Sequence, residues 1–209
     1  YALHNSGEFN GYLEGDERAS LDKSVSEVYA RKLRHAYFAC ISYIDAQVGK
    51  IIDELERLGE ADNTIIVVWG DHGWHLGDQR VWGKHTLMET SLRSTLIMKV
   101  PHSSKSIENH RIVSSIDIYP TLMELCGVSV PDGLDGHSFT KLLADPKERS
   151  WHEAAYSYFN NGVSVRAPQY RLTRYRDKTK YISELYDYHV DDMERKNTFE
   201  CAEKEFVKK

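Results

Sequence analysis

The chain has 209 residues, of which 41% are hydrophobic and 28% charged, and its 27 Lys and Arg against 32 Asp and Glu leave a formal net charge of −5. This is the balance of a globular protein able to bury a core. It contains no Lys/Arg block of the kind that marks a nucleic-acid binder, and no apolar run near the ~20 residues that a membrane-spanning helix needs.

The chain begins at Tyr1 with no signal-peptide pattern, so a processed product or a fragment is expected. Residues 1–24 carry Gly7, Gly11 and Gly15 among charges and read as an irregular lead-in. From about Val25 to Leu58, the residues Leu33, Tyr37, Ile41, Ile44, Val48, Ile51, Leu55 and Leu58 recur at spacings of three and four. That period predicts a long core-covering helix, closed by Gly59. Ile65–Trp69 follows as a strand that is apolar on both faces, as in the centre of a parallel sheet. A second strand is expected over Ser94–Val100 and a short third over Ile112–Ser115. Asp117–Cys126 reads as a helix with Asp117 at its start, Pro120 in its first turn and Gly127 after its end.

Strand and helix in alternation predict an α/β fold over residues 1–149, with a parallel or mixed sheet flanked by helices. Ser138–Leu143 within it reads as a short helix. Residues 150–209 form a separate, small antiparallel-sheet subdomain. Its strands are expected in Ala154–Tyr158, Gly162–Arg166, Tyr170–Tyr175 and Glu184–Asp187, with a hairpin turn at Ala167-Pro168-Gln169. The tail, Asp191–Lys209, is charged and reads as a loose helix. Cys40, Cys126 and Cys201 form no C-x-x-C pair, which argues against a zinc site or a disulfide framework. Cys40 and Cys126 stand among apolar residues and are expected to be buried thiols.

The strongest chemical signal is Ile65–Lys84. The strand ends abruptly in Gly70-Asp71-His72-Gly73, which presents a carboxylate beside an imidazole. Both are metal ligands, and ligands of open α/β sheets bind beyond the strand ends. Read from position alone, Asp71 could equally cap a turn and His72 sit at the surface. Lys84 in Trp82-Gly83-Lys84-His85 is either a solvated lysine or a cation for a sulfate, a phosphate or a developing leaving-group oxygen. Trp74 and His75 are candidates to line the same crevice and bind substrate. No G-x-S-x-G elbow, P-loop or H-E-x-x-H is present.

From about Lys32 to Asn197 the chain resembles the C-terminal half of a sulfatase of the alkaline phosphatase superfamily. Ala36–Gly49 resembles the helix before the metal-binding strand. Ile65–Lys84 resembles the strand, the metal pair and the active-site lysine. Ile112–Leu143 is similar to the family's V-D-x-x-P-T-L-x-x-x-G-x-x-x-P-x-x-x-x-G-x-S segment, and Glu184–Asp187 to its E-L-Y-D. Within the family the nearest likeness is to the iduronate-2-sulfatases, in the D-H-G-W-x-L-G run and in Gly162–Tyr175. The resemblance implies that Asp71 and His72 ligate a divalent cation, usually calcium, with manganese or zinc as alternatives. It implies that Lys84 contacts the sulfate group and the bridging oxygen, and that the substrate is a sulfated sugar. It also implies a formylglycine nucleophile, made from Cys or Ser in a C/S-x-P/A-x-R motif, and export or a lysosome-like compartment.

No C/S-x-P/A-x-R motif is present, nor are the paired aspartates that complete the family's metal site. Gln79 stands where many relatives carry His. The expectation is therefore one part of an enzyme, inactive alone, whose N-terminal half supplies the nucleophile and covers apolar edges left here. The alternatives are a phosphonate or phosphate monoester hydrolase of the same superfamily, or a non-catalytic binding domain derived from a sulfatase.

Overall fold

The computed structural model describes residues 2–4, 6–13, 17–103 and 106–202. The chain divides into two compact units, Tyr1–Ser106 and Ile107–Lys209.

The first unit opens with a one-turn helix, α1 (Gly7–Gly11), and continues into the 31-residue α2 (Glu27–Arg57). Ser26 caps α2 by accepting from the Tyr29 backbone N–H at 3.2 Å, and Glu17 in turn accepts from both the backbone N–H and the hydroxyl of Ser26. Gly59 follows α2 with φ +72°, the left-handed conformation that a helix end favours. The predicted apolar stripe exists, but it does not cover a core here. The beginning of α2 packs into a core, where Ala30 and Leu33 meet Trp82, Ala19, Phe9 and Leu76, and Tyr37, Val48, Ile52 and Leu55 further along are half-buried. Phe38, Ile41, Ile44, Ile51 and Leu58 are exposed, Ile51 to 64%. Cys40, on the same helix, is exposed rather than buried, as are Cys126, just past a helix end, and Cys201.

Strand β1 (Ile66–Trp69) leads to a small hairpin, β2 (His75–Leu76) and β3 (Trp82–Gly83), then to a short helix, α3 (Glu89–Leu92), and β4 (Leu96–Lys99). The strands beginning at 66 and 96 fall where the sequence places them, but their pairing differs from expectation. β1 and β4 are antiparallel, with Ile66 opposite Lys99 and Trp69 opposite Leu96. No parallel pair occurs among the described residues. The physical reason is the connection: a hairpin and a one-turn helix return the chain alongside itself, whereas a parallel neighbour needs a crossover that carries it back to the starting edge.

The hairpin is held by a buried polar node. His75 has no exposed surface, and its Nε2 lies 2.8 Å from the Thr86 hydroxyl. That hydroxyl is 2.7 Å from the Ser91 hydroxyl, which also donates to the Thr86 carbonyl at 2.8 Å. The His75 Nδ1 is buried without a hydrogen-bond partner among the described residues. Burial lowers the His75 pKa from 6.5 to about 4; nearby Asp78 opposes the shift and His4 adds to it.

The second unit has no strand at Ile112–Ser115; Ser114 is extended, and a tight turn follows at Ser115–Asp117. Asp117 is buried and does more than start the next helix, α4 (Ile118–Leu125). Its carboxylate accepts from the backbone N–H of Ser114 at 2.7 Å and of His137 at 2.9 Å, so it clamps two loops together. Thr121 extends the clamp by accepting from the Phe139 N–H at 3.0 Å. A one-turn helix, α5 (Thr140–Ala144), precedes the sheet β5 (Ala155–Phe159), β6 (Gly162–Arg166), β7 (Tyr170–Asp177) and β8 (Lys180–Asp187). These four strands pair antiparallel in chain order, as the sequence predicts. Residues 199–202 are helical, and the rest of the predicted tail helix lies outside the described residues.

The covered face of this sheet is polar. Arg171 and Glu194 form a 2.7 Å ion pair with both side chains 2% exposed. Ser164 and Tyr188 also accept from the Arg171 guanidinium, at 3.2 and 3.0 Å, and Ser164 meets Thr173 at 2.9 Å.

The pair and the node each generate a measurable expectation. Glu194→Ala leaves a buried guanidinium short of its counter-charge and costs ~3 kcal/mol in denaturant unfolding; a change within a few tenths of a kcal/mol sinks this view of the pair. His75 is neutral when folded and takes up a proton when unfolded between pH 6.5 and about 4. Its contribution is therefore fully present above pH 6.5 and is lost as the pH falls through that window, by roughly 3 kcal/mol. His75→Gln keeps a hydrogen-bonding side chain that does not titrate. Its unfolding free energy should depend less steeply on pH from 6.5 to 4 than that of the native sequence, and an unchanged slope refutes the assignment.

Candidate functional site

Two clusters of chemistry-bearing side chains lie in the first unit. The first follows β1. The Gly70 N–H donates to the Thr95 carbonyl at 2.9 Å, which keeps the chain on the sheet for one more residue. Three residues later the Gly73 N–H donates to the Ser91 carbonyl at 2.8 Å. Between these anchors, Asp71 and His72 are held on a short arch. Gly73 is required there: a Cβ at this position would lie 2.3 Å from the Thr90 carbonyl oxygen and 2.8 Å from that of Arg93. Only a residue without a side chain lets the arch press on the backbone of α3.

Within the arch, the His72 Nδ1 is 2.7 Å from the Gly73 carbonyl oxygen. A carbonyl can only accept, so Nδ1 carries a proton, and in the neutral tautomer this leaves the lone pair at Nε2. That Nε2 faces Asp71 Oδ2 at 3.5 Å. In that tautomer two lone-pair donors face one another, with the Asp71 side chain 81% exposed and that of His72 30% exposed. With Nε2 protonated the contact is an ion pair, and with Nε2 bare the two side chains can share a cation. The pair supplies two ligands, and no group of three or more His, Cys, Asp or Glu suited to a metal occurs among the described residues. Trp74 is half-buried, with its ring 6.0 Å from that of His72. His75, placed by the sequence along the same crevice, is turned wholly inward onto Thr86.

The second cluster follows β3. The hairpin reverses through Gly77, whose φ of +104° suits glycine, and through Gln79 and Arg80, also at positive φ. Trp82 enters the core, where Phe9 stacks on it at 5.5 Å and the Arg34 guanidinium lies 5.6 Å from its ring centre. Gly83 pairs with His75, and Lys84 is the next residue. Its Nζ lies 3.6 Å from Glu8 Oε1, while His85 Nε2 is 3.1 Å from Glu8 Oε2. The Tyr12 hydroxyl donates to Glu8 Oε1 at 3.1 Å. Desolvation pushes the Glu8 carboxyl upward, but Tyr12, His85 and Lys84 together outweigh it and hold the group below the usual carboxylate range. The His4 ring stands 6.1 Å from that of His85, and its pKa is lowered by burial first and by His85 second.

The structure thus brings Asp71 to His72, and Lys84 to His85. Among the described residues, no hydrogen bond or ion pair joins Lys84 to Asp71 or His72. Glu8 is the residue that sequence reasoning missed. It lies in a glycine-rich lead-in far from Lys84 along the chain, and no periodicity or motif links the two.

Comparison with known proteins follows from these segments. The Sulfatase family profile matches residues 4–128, and the profile described as N-sulphoglucosamine sulphohydrolase, C-terminal, matches residues 70–209. A sulfatase of Formosa agariphila is 32% identical over 164 residues, covering 78% of this chain and 32% of that protein. Iduronate 2-sulfatase of Mus musculus is 30% identical over 132 residues, covering 51% of this chain and 24% of that protein. The likeness is thus shared among several sulfatases, the iduronate 2-sulfatase among them. Among solved structures, a protein in complex with its substrate D-glucosamine-2-N,6-O-disulfate superposes with a TM-score of 0.69 at 29% identity, covering 80% of this chain and 36% of that one. The phosphonate monoester hydrolase of Agrobacterium radiobacter superposes at 0.74 with 25% identity, covering 85% and 39%. The chain spans about a third of the length of the curated sulfatase of Formosa agariphila, and less of the mouse protein. With profile matches that together run from residue 4 to residue 209, the chain belongs to the sulfatase family.

Proposed function

We propose that the chain is the C-terminal portion of a metal-dependent sulfuric ester hydrolase acting on sulfated sugars, with residues 150–209 as its small C-terminal subdomain. The observation that carries this reading is the His72 ring, whose Nδ1 is spent on the Gly73 carbonyl and whose Nε2 faces the Asp71 carboxylate at 3.5 Å. These two side chains hold a divalent cation, calcium by family habit, although an imidazole ligand suits manganese or zinc well. Such an ion polarises the sulfate oxygens as a Lewis acid when bound. Lys84 offers its ammonium to the sulfate and to the bridging oxygen, where negative charge grows as the sulfur–oxygen bond to the alcohol breaks. Trp74 borders the approach to the ligand pair. The remaining ligands and a formylglycine nucleophile come from the part of the protein that precedes this chain, so these residues alone do not turn over.

The sugar class is supported by the family relative bound to a disulfated glucosamine. An iduronate-2-sulfatase-like preference is the finer form of the proposal, and the D-H-G-W-x-L-G run is its support. A second reading, a phosphonate or phosphate monoester hydrolase, is favoured by the imidazole ligand and by the superposition on the phosphonate monoester hydrolase of Agrobacterium radiobacter. A non-catalytic sulfatase-derived binding domain is the reading from a different class, and it predicts no turnover at all.

The deciding experiment compares sulfated glucosamines and iduronate-containing disaccharides with phosphonate and phosphate monoesters, using the full-length protein. Sulfate-ester turnover is expected, with a loss of about 10²-fold in Lys84→Ala. Asp71→Asn should lower the divalent metal that co-purifies, as read by elemental analysis. Wild-type turnover in Lys84→Ala removes that residue from the chemistry, and a preference for phosphonate esters selects the second reading.

A further inference from the structure

We infer that Glu8 is a positioning residue for the Lys84–His85 pair. The inference rests on the proposed role of Lys84 as the sulfate-contacting cation.

The lead-in segment is fastened to the hairpin before it reaches Lys84. Phe9 stacks on Trp82, the Trp82 N–H donates to the Ser6 hydroxyl at 2.9 Å, and Asn10 exchanges two hydrogen bonds with the Ala19 backbone at 2.7 and 2.8 Å. These contacts fix α1 against β3, and the Glu8 side chain emerges from α1 onto the residues just after β3. Its two oxygens are divided. Oε1 accepts from Tyr12 and faces Lys84, while Oε2 faces His85. The Glu8 side chain is 25% exposed and that of Lys84 31%, so neither is a freely solvated surface group.

A carboxylate beside a site for an anion works against affinity, because it repels the incoming sulfate. Its benefit must lie in geometry. A lysine side chain loses about 2 kcal/mol of rotamer freedom when it is fixed. A partner that holds the ammonium in advance removes part of that loss from the reaction itself. The surrounding donors fit an oxyanion. His4 Nδ1 accepts from the Ser6 N–H at 2.8 Å, so its proton sits on Nε2, which is buried with no hydrogen-bond partner among the described residues. The Lys84 ammonium and the His85 imidazole thus share one carboxylate that orders them, and the His4 ring stands against His85 with its N–H unspent.

The test is steady-state kinetics of the full-length protein on the sulfate ester it turns over best, with Glu8→Gln, Glu8→Asp, Tyr12→Phe and Lys84→Ala. Glu8→Gln keeps the shape and removes the charge. The expected result is a fall in kcat of roughly tenfold or more, with KM unchanged or lower because the repulsion of the substrate is gone. Glu8→Asp restores part of kcat. A purely structural role predicts a lower melting temperature with kcat and KM of the folded fraction unmoved. Should Glu8→Gln fail to fold, Tyr12→Phe decides, since it loosens the same carboxylate without removing it; a lower kcat at constant KM supports the inference, and wild-type values overturn it. If Lys84→Ala loses activity while Glu8→Gln retains kcat and KM, the inference fails and the reading of Lys84 stands. If Lys84→Ala is as active as the native protein, or no sulfate ester is turned over, the reading of Lys84 fails and takes this inference with it.

Discussion

The two clusters of the first unit hang on one buried node, the chain of His75, Thr86 and Ser91. Ser91 contributes twice. Its hydroxyl joins the node, and its carbonyl receives the Gly73 N–H that closes the Asp71–His72 arch. His75 also contributes twice. Its ring enters the node, and its backbone pairs with Gly83, one residue before Lys84. A displacement of the node therefore moves the Asp71–His72 arch and the lysine together. Buried polar side chains are costly when unsatisfied and directional when satisfied, so such a node fixes position more sharply than apolar packing does. The orphaned Nδ1 of His75 and the lowered pKa are what the molecule tolerates for that fixation.

This node explains which parts of the site were legible in the sequence. Asp71 and His72 stand out because a β-branched run ends in a glycine-flanked polar pair, a local pattern. His75 reads equally well as a crevice residue, since nothing local says that its ring meets a threonine eleven residues on. Glu8 is invisible for the same reason at longer range. The antiparallel sheet at the C-terminus is legible because its strands are consecutive hairpins, and register there is set by short turns. The pairing of β1 with β4 is not. An apolar strand looks the same whichever direction its neighbour runs, and the connection that decides it contains a two-residue β2 and a two-residue β3 too short for any period. Ile112–Ser115 has the composition of a strand but no partner, and composition alone does not make a ladder.

The exposed stripe of α2 is a different kind of discrepancy. Periodicity there predicts burial, and the helix forms with the right face apolar, yet Phe38, Ile41, Ile44 and Ile51 meet solvent. Trp69 and Ile97 on β1 and β4 are also exposed. An amphipathic helix of this length has little reason to keep such a face unless something covers it. In a chain that spans about a third of the family relatives it matches, the covering body on the proposed reading is the rest of the enzyme. On that reading the sequence pattern describes the burial of the complete protein.

The same logic applies to the chemistry. On the proposed reading, Asp71 and His72 would give a divalent ion only two of the ligands it requires: calcium takes six to eight oxygens, and zinc four donors in a closed site. An ion held by two ligands keeps a mostly aqueous shell and binds weakly. The arch makes up for part of this by preparing its pair in advance. Gly73 admits a backbone approach that no other residue allows, the tautomer of His72 is set by a carbonyl, and the facing distance of 3.5 Å leaves room for an ion to draw both donors inward. Pre-organisation of a half-site is useful only when further ligands meet it with comparable rigidity. The arch is accordingly built from backbone anchors to Thr95 and Ser91, not from mobile side chains. On the proposed reading, this fixed edge is what the nucleophile-bearing part of the enzyme closes against, while Lys84 is held beside Glu8.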